Sequence, residues 1–270
     1  MKKFFVMNLE KLCTDVIGIV KDAGTFIAGE RKRFQLDAVE KKGKSDFVSY
    51  VDKGAEKQLV EKLRQLLPEA GFITEENTAG NHGEELKWII DPLDGTTNFI
   101  HGMPPYAVSV ALSRGNEIIL GVVYEITQDE CFYAWKDSQA YLNGKVIRAS
   151  DAKTTEDALI ATGFPYYNFK KLDGYMEAMN HFMQHSQGIR RLGSAATDLA
   201  YVASGRFEAF WEHALHAWDV AAGVLIIKQA GGKVTDFNGG DNFLFGGEIV
   251  AANGAYFEEF YDIVHQHLGN

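Results

Sequence analysis

The sequence has few cysteines and no long apolar run. Cys13 and Cys131 are too few and too far apart along the chain for a disulfide framework, so we expect reduced thiols. No apolar run approaches the ~18 residues that a membrane span needs. The apolar stretch at the N-terminus is interrupted by Asn8 and Glu10, which leaves no apolar region of a secretion signal. These absences predict a soluble, cytoplasmic protein without a membrane partner.

Basic charge is also in deficit. The chain has 37 acidic residues against 27 Lys and Arg residues, a net charge of −10. A nucleic-acid backbone is therefore a poor partner, whereas a phosphorylated small molecule suits the chain if metal ions lie between carboxylates and phosphate. Apolar residues make up 46% of the 270 residues, which is enough for the core of one large domain or of two compact ones.

Hydrophobic periodicity differs between the two halves of the chain. Apolar positions at helical spacing predict helices over 8–28 and 53–67, with Asp52 as the cap of the second, and 106–147 has alternating β patterns. Beyond residue 150 strands and helices alternate, which predicts a layered α/β build. The predicted strands there are 158–162, 206–211, 233–236 and 248–251, and the predicted helices are 170–185, 194–204, 217–230 and 254–267. We place a boundary near 150, with an N-terminal α+β half (1–150) and a C-terminal α/β half (151–270).

Acidic residues fall at the ends of predicted strands in "GFITEE" (Glu75 and Glu76) and in "WIIDPLDGTTNF". In the second stretch Asp91 ends a strand and Asp94 starts the next helix, so both carboxylates face one small volume. A divalent cation would relieve their repulsion, and Mg²⁺ prefers such oxygen ligands. The alternative is a surface pair in which Asp94 only caps a helix.

Two further stretches add candidate residues. Gly95 and Thr96 open a helix whose free N–H groups suit a phosphate, and the Thr96 hydroxyl could orient a water molecule. In "EHALHAWDVAAG", Asp219 starts a helix and Glu212 ends a strand, where it is either a contact to substrate hydroxyls or a solvated charge. His213, His216 and Asp219 are spaced in threes, as in a transition-metal site on one helix, but the oxygen-rich first cluster favours a hard cation.

Together these stretches resemble a known family. "WIIDPLDGTTNFIHG" and "WDVAAGVLIIKQAGG", about 130 residues apart, resemble the two signatures of the inositol monophosphatase family, the Mg²⁺-dependent, lithium-sensitive phosphatases, in its bacterial type. "GFITEE" and "RRLGSAATDLAYVASGRFEAFWE" match in order, so the resemblance runs from about residue 10 to 267. It implies an alternating α-β-α-β-α sandwich, a homodimer, and hydrolysis of myo-inositol monophosphate or another polyol or sugar phosphate.

The resemblance also implies residue roles. Glu75, Asp91 and the carbonyl of Leu93 would bind one Mg²⁺, and Asp91, Asp94 and Asp219 a second, with a third ion near Glu75. Thr96 and Glu75, supported by Asp52, would orient the attacking water, which makes these three the catalytic residues. Phosphate and sugar contacts would come from Gly95, Thr96, Gly193, Ser194, Ala195, Glu212 and Asp219. Gln229 departs from the family, which often has Glu there, and we expect little effect on chemistry.

Several alternatives stay open. Aspartyl-phosphate phosphatases also have Asp-rich strand ends, but they need D-x-D where this chain has D-x-x-D. Within the family, "GTTNF" favours the inositol branch over 3′-phosphoadenosine 5′-phosphate phosphatases, which usually carry a charged residue in place of Thr97-Asn98. Fructose-1,6-bisphosphate and histidinol phosphate remain candidate substrates. Some bacterial relatives associate with transcription machinery, so a protein partner beside catalysis is also possible.

Overall fold

A computed structural model describes residues 7–33, 39–41, 47–79, 85–165 and 168–269 of the chain, with the backbone alone at 39–41 and 47–49. Its helices are α1 (Leu9–Arg31), α2 (Tyr50–Leu66), α3 (Thr96–His101), α4 (Leu172–His185), α5 (Ala195–Ala203), α6 (Ala217–Gln229) and α7 (Phe257–Leu268). Its strands are β1 (Val39–Lys41), β2 (Phe47–Ser49), β3 (Gly71–Thr74), β4 (Leu86–Asp94), β5 (Ala107–Arg114), β6 (Glu117–Glu125), β7 (Glu130–Trp135), β8 (Ala140–Leu142), β9 (Lys145–Ile147), β10 (Leu159–Thr162), β11 (Gly188–Arg190), β12 (Ala209–His213), β13 (Lys233–Thr235) and β14 (Glu248–Ala252).

Two sheets organise these elements. The seven-stranded sheet has the order β3-β4-β5-β6-β7-β8-β9, in which β3 and β4 are parallel and every later pair is antiparallel. The five-stranded sheet has the order β11-β10-β12-β14-β13, with β10 parallel to both of its neighbours. Strands β1 and β2 form a separate antiparallel pair.

Side-chain alternation along the strands separates three apolar layers. In β4, Trp88 and Ile90 pack with α1 and α2, whereas Ile89 points to the opposite face of the sheet and packs with α5 and α6. Helices α5 and α6 also contact the five-stranded sheet, whose other face is covered by α4 and α7. The order of layers is therefore α-β-α-β-α, and the predicted layered α/β sandwich is confirmed.

Helix α1 follows directly from its sequence. Its buried side chains recur at helical spacing, and the Oδ1 of Asn8 accepts a 3.0 Å hydrogen bond from the N–H of Lys11 as the N-cap. None of the helices in the described ranges is long and apolar enough to cross a membrane. The change of sheet falls between Ile147 and Leu159, but α5 and α6 share one core with both sheets. The domain boundary near residue 150 stays a prediction.

Several predicted element ends are wrong. Helix α2 begins at Tyr50 rather than after Asp52, so Asp52 lies inside its first turn instead of capping it. Strand β4 continues to Asp94 through an irregularity in its pairing with β5, and Gly95, in the left-handed conformation (φ 88°), is the N-cap of α3. The strand predicted over 206–211 is β12, Ala209–His213, and β11 was not predicted.

Candidate active site

A cavity of about 310 Å³ opens where β4, β12, α5 and α6 end or begin. Ten of its lining residues were predicted from the sequence as site residues by their side chains or backbone: Glu75, Asp91, Asp94, Gly95, Thr96, Gly193, Ser194, Ala195, Glu212 and Asp219. Leu93, predicted through its carbonyl, lines it as well. His213 and His216, considered from the sequence only as part of a transition-metal site, line the cavity too, and the remaining lining residues are Thr97, Gly163, Phe164, Arg191, Ala214, Leu215 and Trp218.

Asp91 lies in the last part of β4 and is only 2% exposed. Its Oδ1 accepts a 2.9 Å hydrogen bond from the N–H of Leu93, two residues on. Burial, followed by the negative charges of Glu75, Asp94 and Asp219, raises the pKa of the Asp91 carboxyl well above its usual range. Burial to this degree excludes the surface-pair interpretation of the two aspartates.

Asp94 ends β4 and faces the N-terminus of α5. Its Oδ2 accepts hydrogen bonds of 2.7 Å from the Ser194 hydroxyl and 2.7 Å from the N–H of Ala196. Burial raises the pKa of Asp94 to about 6, and the hydrogen bonds from Ser194 and from backbone N–H groups oppose that rise. Asp94 therefore links the end of β4 to the start of α5, about 100 positions later in the chain.

Asp219 completes the acidic group from the start of α6. Its Oδ2 accepts a 2.6 Å hydrogen bond from the N–H of His216, the residue before the helix, in a capping-box arrangement. One carboxylate oxygen each of Asp91, Asp94 and Asp219 lies within 4.8 Å of the other two. A dication would neutralise this repulsion, and an all-oxygen donor set fits a hard ion such as Mg²⁺.

Glu212 also lines the cavity, next to the last residue of β12. Burial and the charge of Asp219 raise the pKa of its carboxyl well above the usual range, while the Arg191 guanidinium opposes the rise. A Cβ on Gly163 would lie 2.0 Å from this carboxylate, so only glycine leaves room for Glu212 in its present position. Gly163 was missed because a single glycine after a strand gives no signal of what approaches it.

Asn98 is a second residue whose role the sequence did not indicate. Its Nδ2 donates hydrogen bonds of 2.8 Å to the carbonyl of Pro105 and 2.8 Å to the carbonyl of Leu192. The side chain thereby fixes the segment that leads to Gly193 against α3. Asn98 positions the cavity wall, although it is not itself among the described residues that line the cavity.

Two predicted features are placed less directly. Asp52 is buried in the first turn of α2 and is not among the described residues that line the cavity, so its supporting role stays a prediction. His213 ends β12 and His216 precedes α6, so these histidines and Asp219 do not share one helix. The helical transition-metal arrangement is therefore wrong.

The comparison with known proteins agrees with this geometry. A model of the inositol monophosphatase family matches residues 8–268. The chain belongs to this family. An inositol-1-monophosphatase of Rhizobium meliloti is 43% identical over 254 residues, covering 92% of this chain and 93% of that protein. The Nus factor SuhB of Pseudomonas aeruginosa is 40% identical, covering 92% of this chain and 93% of that protein.

Solved structures confirm the fold of this family member. The extragenic suppressor protein suhB of Bartonella henselae superposes with a TM-score of 0.88 at 37% identity, covering 96% of this chain and 100% of that chain. The family consists of metal-dependent phosphatases, and the three aspartates of this member form an acidic cluster suited to a metal ion. The predicted reaction class, phosphate-ester hydrolysis, is confirmed at the level of the family.

Proposed function

We propose that this family phosphatase hydrolyses the phosphate monoester of a polyol or sugar, with myo-inositol monophosphate as the first candidate. The observation that carries this proposal is the convergence of Asp91, Asp94 and Asp219 within 4.8 Å on a cavity that also contains Glu212. The three aspartates suit metal and phosphate, and the Glu212 carboxyl suits hydroxyl groups. The name of the Rhizobium meliloti relative, inositol-1-monophosphatase, supports this substrate.

The acidic residues divide into two ligand sets. Glu75, Asp91 and the carbonyl oxygen of Leu93 would hold one Mg²⁺, and Asp91, Asp94 and Asp219 a second, and a third ion would lie near Glu75. Bound Mg²⁺ would lower the pKa of a water molecule and stabilise charge on the phosphate and the leaving oxygen. The raised pKa of Asp91 supports these sets, because the nearby charges of Glu75, Asp94 and Asp219 contribute to the rise after burial.

Residues of the first motif would place water and phosphate. The Thr96 hydroxyl donates to the carbonyl of Leu93 at 2.9 Å, which leaves its oxygen lone pairs free to accept a hydrogen bond from the attacking water. Glu75 would receive the water's proton. Asp52, in α2, would support Thr96 and Glu75. The N–H groups of Gly95 and Thr96 would donate to the phosphate.

Residues beside the aspartates would bind the leaving group. Gly193, Ser194 and Ala195 form the segment before and at the start of α5, and Glu212 and Asp219 flank it. With its raised pKa, the Glu212 carboxyl can donate as well as accept a hydrogen bond to a sugar hydroxyl. A cavity of about 310 Å³ suits a single ring-sized leaving group.

Phosphate release from candidate substrates tests the proposal. The panel contains inositol monophosphates, fructose-1,6-bisphosphate, histidinol phosphate and 3′-phosphoadenosine 5′-phosphate, each with Mg²⁺ and with or without Li⁺. We expect inositol monophosphate to have the highest kcat/KM and Li⁺ to inhibit. A clear preference for another substrate in the panel would replace inositol phosphate while keeping the reaction class.

A pair of variants tests the metal site itself. Asp94→Asn should remain folded and lose at least about 100-fold in kcat, because a carboxylate ligand is lost. Asp137→Asn, on an exposed turn where Asn tolerates the positive φ of 64°, is the matched control and should keep full activity. Full activity of Asp94→Asn at saturating Mg²⁺ would exclude the assignment. Transfer of ¹⁸O from water to phosphate, with no phosphorylated Asp91, would exclude an aspartyl-phosphate route.

We also propose a homodimer and a protein-binding role beside catalysis. Leu172, Met176 and Met183 form an exposed apolar stripe on α4, with Phe169 just before it, which supports self-association. Met176→Glu should shift the mass measured by light scattering from two chains to one.

The name Nus factor SuhB of the Pseudomonas relative supports a protein partner. Proteins that co-purify with the wild type and with Asp94→Asn can be identified by mass spectrometry. A partner that the inactive variant still binds would show that binding does not depend on catalysis.

A further inference from the structure

Tyr175 lies near the start of α4 and packs against the residues on either side of Glu212. It is 1% exposed and is not among the described residues that line the cavity. Its ring centroid lies 5.7 Å from that of Trp211, at an interplanar angle of 35°, and 5.6 Å from that of His213, at 61°. A buried ring thus supports the stretch of β12 that carries Glu212.

The hydroxyl of Tyr175 joins the ends of two strands. Backbone pairing of β10 with β12 ends at Thr162 and Trp211. The Tyr175 hydroxyl donates to the carbonyl of Gly163 at 2.6 Å, and the Thr162 hydroxyl donates to the carbonyl of Trp211 at 2.8 Å. Each hydroxyl also lies 3.3 Å from the other carbonyl, and the two hydroxyls contact each other. Two hydroxyl protons therefore serve two carbonyls that can only accept, in one buried network.

This network holds both backbone segments that fix the Glu212 side chain. Glu212 directly follows Trp211 in β12, and its carboxylate packs so closely on Gly163 that a Cβ there would lie 2.0 Å away. Burial, and then the charge of Glu212, raise the pKa of the Tyr175 hydroxyl well above its usual range. The hydroxyl therefore keeps its proton at neutral pH and remains a donor to the Gly163 carbonyl.

We propose that Tyr175 is a positioning residue, which holds the Glu212 carboxyl where it meets the hydroxyl groups of the substrate. The inference rests on the proposed function, in which Glu212 contacts the polyol or sugar. Without the Tyr175 hydroxyl, the buried carbonyl of Gly163 loses its 2.6 Å hydrogen bond, and the carboxylate packed on Gly163 can shift. Metal and phosphate are assigned to other residues, so this shift should weaken substrate binding and leave the hydrolytic step nearly unchanged.

The test compares Tyr175→Phe with the wild type at saturating Mg²⁺, on the substrate that the panel above selects and on 4-nitrophenyl phosphate. For the selected substrate, KM should rise at least about fivefold and kcat should stay within about twofold. For 4-nitrophenyl phosphate, whose leaving group has no hydroxyl for Glu212 to contact, KM should stay within about twofold. Tyr256→Phe is the matched control, because it removes another buried hydroxyl of the same apolar layer, 2.9 Å from the Thr155 hydroxyl, and it should keep both KM values.

A double-mutant cycle tests whether Tyr175 acts through Glu212. Glu212→Ala should raise KM for the selected substrate at least about tenfold, and adding Tyr175→Phe should change that KM by no more than about twofold. A full additional rise in the double variant would overturn the positioning role. An unchanged KM in Tyr175→Phe beside a raised KM in Glu212→Ala would also overturn it, but would leave the proposed function intact. An unchanged KM in both would overturn the contact between Glu212 and substrate, and the positioning role with it.

A second variant and a melting curve separate positioning from loss of folding. Thr162→Val removes the other hydroxyl of the network, and it should raise the same KM. Tyr175→Phe and Tyr256→Phe should both melt below the wild type, since each loses a buried hydrogen bond. A fraction of unfolded enzyme lowers the measured kcat without changing KM, so stability loss alone cannot produce the expected result. An equal rise of KM for 4-nitrophenyl phosphate would overturn the proposal.

Discussion

The hydroxyl of Ser194 donates a 2.7 Å hydrogen bond to the carboxylate of Asp94, a residue 100 positions earlier in the chain. The same Ser194 oxygen accepts from the N–H of Thr197 at 3.3 Å and is the N-cap of α5. One side chain thereby starts a helix of the central layer and orients a proposed metal ligand. Stability and metal affinity are therefore linked at this residue.

Ser194→Ala should lower both the stability of the fold and the affinity for Mg²⁺. Loss of the cap should lower the free energy of unfolding by about 1 kcal/mol. Loss of the hydrogen bond should raise the pKa of Asp94 further above about 6, because Ser194 opposes its rise. Mg²⁺ must displace a proton from a protonated Asp94, so the Mg²⁺ affinity should fall more at pH 6 than at pH 8. Mg²⁺ titrations of activity at the two pH values measure this, and Ser194→Thr, which keeps the hydroxyl, is the control.

The stability of the metal-free protein should depend on pH in an unusual direction. The folded pKa of Asp94 is about 6, above the unfolded value of about 3.9. A carboxyl with a raised folded pKa stabilises the folded state below the unfolded pKa, and this stability is lost as the pH rises to the folded pKa. The loss between pH 4 and pH 7 should be on the order of 2–3 kcal/mol for this group. Thermal unfolding in EDTA across that range measures it.

The variant Asp94→Asn provides the comparison for that pH series. Its amide oxygen can still accept from Ser194 and Ala196, but the side chain does not ionise. In EDTA at pH 8 the variant should melt above the wild type, and saturating Mg²⁺ should reverse the order by stabilising the wild type alone. Identical pH profiles of the two proteins would show that ionisation of Asp94 does not destabilise the folded state.

Gly163→Ala should damage substrate binding more than chemistry. The new Cβ would lie 2.0 Å from the Glu212 carboxylate, and Glu212, 7% exposed, has little space to move. We expect the KM for a polyol phosphate to rise at least about tenfold, while kcat changes less. For 4-nitrophenyl phosphate, whose leaving group has no sugar hydroxyls, KM should change less. Gly18→Ala is the control because the new Cβ would meet no atom within 4 Å apart from the backbone of its own helix and its chain neighbours.

Much of this fold could be predicted because its signals are local. The apolar spacing of α1 and the β patterns of 106–147 predicted the elements that form there. Strand β11 has only three residues, Gly188–Arg190, and no periodicity can be recognised over so short a stretch. The start of α2 was missed because Tyr50 directly follows strand β2, and the alternating pattern of "SDFVSYVD" predicted that the strand continued as far as Asp52.

The residues of the candidate site also divide into those that the sequence indicates and those that only the structure shows. Asp91 and Asp94 could be identified because an ionic cluster at a strand end is visible in the sequence itself. The contacts of Asn98 with Leu192 and of Gly163 with Glu212 could not, because each joins segments about 50 to 95 residues apart through shape rather than charge. A glycine or an asparagine in a loop has many uses, and only the partner shows which one applies.

Gln229→Glu should restore the residue that the family often has without changing the reaction. Gln229 ends α6, ten residues after Asp219, which corresponds to about 15 Å along the helix. It lines a second cavity together with Asp241. We expect kcat and the Mg²⁺ dependence to stay within about twofold of the wild type, because the added charge is far from the aspartates and screened by solvent.

The same substitution should lower stability slightly. A negative charge in the last turn of a helix opposes the helix dipole by about 0.3–1 kcal/mol, and Asp241 adds a like charge. Gln184→Glu, an exposed position in the last turn of α4 with Asn180 rather than an acidic residue one turn before it, is the control for the dipole effect. Chemical unfolding at low and high salt should show a larger, more salt-sensitive loss for Gln229→Glu. A change of tenfold or more in its kcat would instead place position 229 in contact with the reaction.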